Sequence, residues 1–157
     1  MLLVIDGYNV LFAKTGLGSP DHTGRDRLTT LVAQYVRDHS DYEAIIFFDS
    51  REVHESLRDL QGVKVRFAES ADRAILQLLR SGTNPSECIV VTADEKDVGR
   101  PAAQLGAKVI SPDELARRIL RGRSRKRKLR NRQHDQPPLS EQEVEQWMRW
   151  FEKKSDK

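Results

Sequence analysis

Only one cysteine, Cys88, occurs in the chain, so no internal disulfide can brace it, and a reducing cytoplasm suits it. Long apolar runs are absent too. None approaches the roughly 18 residues that a membrane-spanning helix needs, which excludes that class. The opening Met1-Leu2-Leu3-Val4-Ile5 meets Asp6 at once and has no charged leader before it, so export is not expected. The four histidines, His22, His39, His54 and His134, show no ligand spacing, which argues against zinc. There is no internal repeat. No glycine-rich phosphate turn follows the first apolar run, where Asp6-Gly7-Tyr8-Asn9 stands instead, and dinucleotide binding is poorly supported.

What is present is an uneven charge. Residues 1–116 carry 13 Lys/Arg against 18 Asp/Glu, whereas residues 117–132 carry ten Lys/Arg and no acid. An acidic body with a basic arm implies a polyanionic partner, because dense Lys/Arg neutralises phosphates and releases their counterions.

Five short apolar or β-branched runs, at 2–5, 44–48, 63–67, 88–92 and 107–110, predict buried parallel strands. Cys88 opens the fourth and reads as a buried strand residue. Helical patterns lie between most of the runs. Leu28, Leu31, Val32, Tyr35 and Val36 fall at i, i+3, i+4, i+7 and i+8, and Ile75, Leu76, Leu78 and Leu79 give a second stripe. A third helix is expected near Pro101. A fourth begins at Ser111-Pro112-Asp113-Glu114, where Ser111 and Glu114 suit a capping box. Strands alternating with helices in this way give a doubly wound α/β sheet. The expected division is a domain over 1–121, a basic linker arm over 122–138 that ends at Pro137-Pro138, and an amphipathic helix with a tail over 139–157. Ser140 and Glu143 suggest a second capping box. Val144, Trp147, Met148 and Phe151 then form an apolar face that would cap the domain or meet a protein or ribosome.

In an open parallel sheet the ligand site lies beyond the carboxyl ends of the strands. Aspartate recurs there. Asp6 ends the first run, Asp49 the second, and Asp94 follows the fourth; Asp72 opens the helix after the third run, and Asp97 lies three residues past Asp94. Singly, each suits a helix cap. Together they would crowd like charges unless a cation is present. Oxygen ligands without Cys or His point to Mg²⁺ or Mn²⁺, and a cation so held supports phosphodiester hydrolysis. An aspartyl-phosphate phosphatase would need a second carboxylate two residues after Asp6, and position 8 is Tyr.

Val4-Ile5-Asp6-Gly7-Tyr8-Asn9-Val10-Leu11-Phe12 resembles the opening signature of the NYN domain, in its YacP-like branch. In order, Ile46-Phe47-Phe48-Asp49, Glu69-Ser70-Ala71-Asp72, Val91-Thr92-Ala93-Asp94 with Asp97, and Leu105-Gly106-Ala107-Lys108-Val109-Ile110-Ser111 resemble later motifs of that branch. Ser70 and Ala93 stand where the family has threonine and serine. The resemblance covers residues 1 to about 120 and implies a PIN-like three-layer fold, about five parallel strands flanked by helices, and divalent-metal endoribonuclease chemistry. It implies Asp6, Asp72 and Asp94 as central acids, Asn9 as an orienting amide, and Asp49 and Asp97 as further metal candidates. Ribosome or translation association is a further implication.

Arg51, Arg73, Lys96 and Arg100 lie near these acids in sequence and are candidates to hold RNA phosphates. Arg123, Arg125, Lys126, Arg127, Lys128 and Arg130 in the arm would add affinity for messenger, ribosomal or transfer RNA without sequence readout. The alternative from a different class is a non-catalytic RNA- or ribosome-binding module with a degenerate metal site.

Overall fold

The computed structural model describes residues 1–50, 59–134 and 140–155. The chain alternates β1 (Leu2–Asp6), α1 (Gly7–Phe12), α2 (His22–Asp38), β2 (Glu43–Asp49), β3 (Val63–Ala68), α3 (Ala71–Gln77), β4 (Cys88–Val91), α4 (Arg100–Gln104), β5 (Lys108–Ile110), α5 (Pro112–His134) and α6 (Glu141–Ser155). All five strands pair in parallel, in the order β3-β2-β1-β4-β5. The strand order reverses at β1, so the crevice between β1 and β4 is where such a sheet offers a binding site.

Alternation along β1 divides the core between two faces, as period-two side chains must. Leu3 and Ile5 join Leu28, Val32, Phe48, Leu115 and Ile119 on one side. Val4 joins Ile75, Leu79, Val90, Val98 and Ala102 on the other. Each Val, Leu, Ile or Phe among them contributes about 1.5–3 kcal/mol by leaving water. Cys88 is buried in β4 as expected. The five expected runs match the strands within two residues, and the stripe from Leu28 to Val36 is the buried face of α2.

The helix ends follow their sequence signals with one exception. Ser140 and Glu143 exchange both bonds of a capping box, Ser140 N–H to Glu143 Oε2 at 3.0 Å and Glu143 N–H to Ser140 Oγ at 3.3 Å. At α5 only half of the expected box forms. Ser111 Oγ accepts from Glu114 N–H at 3.2 Å, but the Glu114 carboxylate turns to Arg118 at 2.7 Å instead. A charge-assisted partner on the next turn outcompetes a neutral backbone donor.

The chain divides into two compact units, Met1–Gly122 and Arg123–Lys157. The basic segment expected as a linker is helical, since α5 runs on through Gly122 to His134. Arg, Lys, Leu and Gln are good helix formers, and their sum outweighs the roughly 1 kcal/mol penalty of one glycine. In the second unit the Trp147 and Trp150 rings lie edge to face, 6.1 Å apart, and Val144, Trp147, Met148 and Trp150 are exposed. No helix among the described residues is long and apolar enough to cross a membrane.

Candidate active site

Asp6 is delivered by the end of β1 and stands at the N-terminal boundary of α1 without a side-chain capping bond. The turn that follows is tight enough to need Gly7, since a Cβ there would lie 2.3 Å from Phe48 Cε1. Asp72 comes from the first turn of α3, whose start is fixed by Ser70 Oγ accepting from Arg73 N–H at 3.3 Å. Asp94 follows β4 and caps the wide turn Glu95–Gly99, accepting from Asp97 N–H at 2.9 Å. That turn carries Asp97 back over Asp94.

The result is a convergence of acids. One carboxylate oxygen from each of Asp72, Asp94 and Asp97 lies within 4.8 Å of the other two. Asp6 stands outside this trio but close enough to Asp72 that the charge of Asp72 acts on its carboxyl. Burial first, and then the charge of Asp72, pushes the Asp6 carboxyl from 3.8 up to about 7. Asp72 is raised as well, first by burial and then by the charges of Asp94, Asp49 and Asp97. Asp72 is therefore the hub of the group. Donors of this kind, all carboxylate and drawn from three connections, fit a hard divalent cation, whose charge would relieve the repulsion that raises both carboxyls.

Asp49 contributes its charge but is otherwise engaged. Its Oδ1 accepts from Ala71 N–H at 2.5 Å, which ties the end of β2 to the start of α3 and so positions Asp72. Asn9 bridges two strand ends. Its Nδ2 donates to Asp6 Oδ2 at 3.2 Å, and its Oδ1 accepts from Ala93 N–H at 2.7 Å. Thr92 supplies a hydroxyl beside the last central acid, accepting from Asp94 N–H at 3.1 Å. Ala93 needs no hydroxyl for these contacts.

Among the cations expected near the acids, Arg73, Lys96 and Arg100 are exposed on α3, the 95–99 turn and the start of α4, and among the described residues they form no ion pair. Arg51 lies outside the described residues. The basic side chains 123–130 are exposed along α5 in the second unit.

Sequence reasoning missed Arg25. It is buried, donates from Nη1 to Tyr8 Oη at 2.8 Å, and contacts His22 Nδ1 through Nη2. Its guanidinium lies 5.9 Å from the centre of the Phe67 ring, and its Nε has no partner among the described residues. A signal existed, since Arg25 precedes Leu28 by three and Val32 by seven and so falls in the apolar stripe of α2.

A family model described as the YacP-like NYN domain matches residues 3–152. Two crystal structures of Rae1 (YacP) from Bacillus subtilis share the fold, each with a TM-score of 0.69. One, of a tryptophan-to-leucine mutant, is 24% identical and covers 89% of this chain and 87% of that one. The other, at 26% identity, covers 99% and 95%. No curated protein matches the chain. The family match runs through both units, and the chain therefore belongs to the YacP-like NYN domain family.

Proposed function

We propose that the chain is a divalent-metal-dependent endoribonuclease, acting in the cytoplasm and associated with translation or the ribosome. Family membership gives a nuclease-type, RNA-related protein. The observation that carries the finer reading is the meeting of Asp72, Asp94 and Asp97 within 4.8 Å, with the Asp6 carboxyl raised in part by the charge of Asp72.

Asp72, Asp94 and Asp97 would hold the cation, with Asp6 completing the set once its proton leaves. When bound, Mg²⁺ or Mn²⁺ supplies Lewis acidity and charge neutralisation for in-line attack on a phosphodiester. Asn9 keeps the Asp6 carboxylate and the Asp94 loop in register through its two hydrogen bonds. Arg73, Lys96 and Arg100 hold RNA phosphates at the rim, and the basic face of α5 adds affinity for RNA or ribosomes without reading bases.

The test is incubation with total RNA and with ribosomes, in Mg²⁺, Mn²⁺ or chelator, beside Asp72→Asn. Metal-dependent cuts that the variant loses are expected. Equal cutting by the variant, or cutting indifferent to chelator, sinks the assignment. The exposed basic run 123–130 favours a second reading, an RNA- or ribosome-binding module without catalysis, which predicts RNA binding with no cuts in either metal.

A further inference from the structure

The short helix that starts at Asp6 ends in an exposed aromatic ring. Phe12 is 66% exposed although its neighbours Val10 and Leu11 are fully buried, so the helix is anchored and turns this one ring outward. Six residues of helix place it about 9 Å along the axis from Asp6. The ring is supported from beneath. Tyr8 lies 6.1 Å from it at 41°, packs edge-on against Phe48 at 5.2 Å, and has its hydroxyl held by buried Arg25 at 2.8 Å.

Past Phe12 the chain passes through Lys14, at a φ of 53°, into a cleft of about 480 Å³ lined by Lys14, Gly16, Gly18, Ser19, Thr23, Gly24 and Arg27. Its wall is backbone against backbone, since a Cβ on Gly24 would fall 1.5 Å from the Ser19 carbonyl oxygen. Leu17, wholly buried, pins the loop to the core. Lys14 and Arg27 face solvent, and no carboxylate lines the cleft; the nearby Asp21 is spent on capping α2, accepting from Gly24 N–H at 2.7 Å.

We propose that Phe12 stacks an unpaired base of single-stranded RNA beside the cut, and that Lys14 and Arg27 take the phosphates that follow it. This rests on the endoribonuclease reading and names its substrate as unpaired RNA. An aromatic face is open only to a base out of its helix, and stacking tolerates any base, so the track selects strandedness and not sequence. Two cations beyond the ring hold the backbone without base readout.

The test uses the full chain carrying Asp72→Asn, to prevent cutting, and a single-stranded oligoribonucleotide in which 2-aminopurine is moved position by position. Stacking quenches its fluorescence. Quenching at one position is expected, with Phe12→Ala abolishing it and weakening affinity roughly tenfold or more, and Phe12→Trp retaining it. Lys14→Gln and Arg27→Gln should each weaken binding equally across sequences and reduce the salt slope by about one. No quenching at any position, unchanged quenching in Phe12→Ala, or equal competition by a duplex of the same sequence overturns the proposal. If the chain with Asp72 intact cuts RNA and Phe12→Ala neither alters the cuts nor the quenching, the track fails while the nuclease reading stands. If Phe12→Ala abolishes quenching while the chain with Asp72 intact cuts nothing in either metal, the track stands and the nuclease reading fails.

Discussion

Asn9 and Ala93 are 84 residues apart in sequence, yet the Ala93 N–H donates to the Asn9 side-chain oxygen at 2.7 Å. The same amide donates to Asp6. One side chain therefore couples the ends of β1 and β4, the two strands that flank the crevice.

Asn9→Ala removes both hydrogen bonds, one to an exposed N–H that water can satisfy, and should cost about 0.5–1.5 kcal/mol, read as a lower Tm. Asn9→Asp keeps the acceptor for Ala93 but sets a carboxylate against Asp6. Its loss of Tm should be larger in chelator than in Mg²⁺. Equal losses in both conditions would separate Asn9 from the metal site.

Asp6 makes the metal-free protein pH-sensitive in a fixed direction. Its carboxyl lies at about 7 when folded and near 3.8 when unfolded, so between these values the folded chain holds a proton that the unfolded chain has lost. Stability from this group is lost as pH rises from about 4 to about 7, by a few kcal/mol at most. The difference between the unmodified chain and Asp6→Asn, followed by urea unfolding in chelator, isolates it. Metal affinity should move the other way and grow over the same pH range, because binding must expel that proton.

Mg²⁺ or Mn²⁺ at millimolar concentration should raise the Tm, since the cation binds only the folded pocket. Asp72→Asn should abolish the rise and cut RNA cleavage by about 100-fold or more, beyond the loss typical of a group supporting a ligand. In chelator the same variant should be more stable than its parent, because it removes a charge at the centre of four acids. A less stable Asp72→Asn in chelator would mean that the repulsion is not there.

Gly7→Ala sets a methyl 2.3 Å from the Phe48 ring and should cost about 1–3 kcal/mol while displacing Asp6. Phe48→Leu, harmful alone, should recover part of that loss in the double variant. Strict additivity of the two Tm changes would place the strain elsewhere.

The sheet and the acids at its edge were legible because both signals are local. A short apolar run closed by aspartate marks a strand and its end together. What depends on register was not legible: Asp49 reaches Ala71 only because β2 and β3 pair with Asp49 opposite Ala68. The resemblance places Asp97 behind Asp6, yet the wide turn Glu95–Gly99 brings it within 4.8 Å of Asp72 and Asp94. Spacing alone does not distinguish that turn from an ordinary helix start. The segment from 122 is expected as a linker arm, but neighbouring helix formers carry α5 across Gly122 to His134. Arg25 lies in the apolar stripe of α2, and its burial depends on partners, Tyr8 and His22, that the stripe does not show.

β1, the first strand of the chain, lies in the middle of the sheet, between β2 and β4. Asp94 and Asp97 arrive only after β4, so a polypeptide still emerging from synthesis holds Asp6 long before the partners that complete its pocket. Pairing strands so distant in sequence is also slow. The acid pocket is therefore complete only once β4 and the turn that follows it have joined β1.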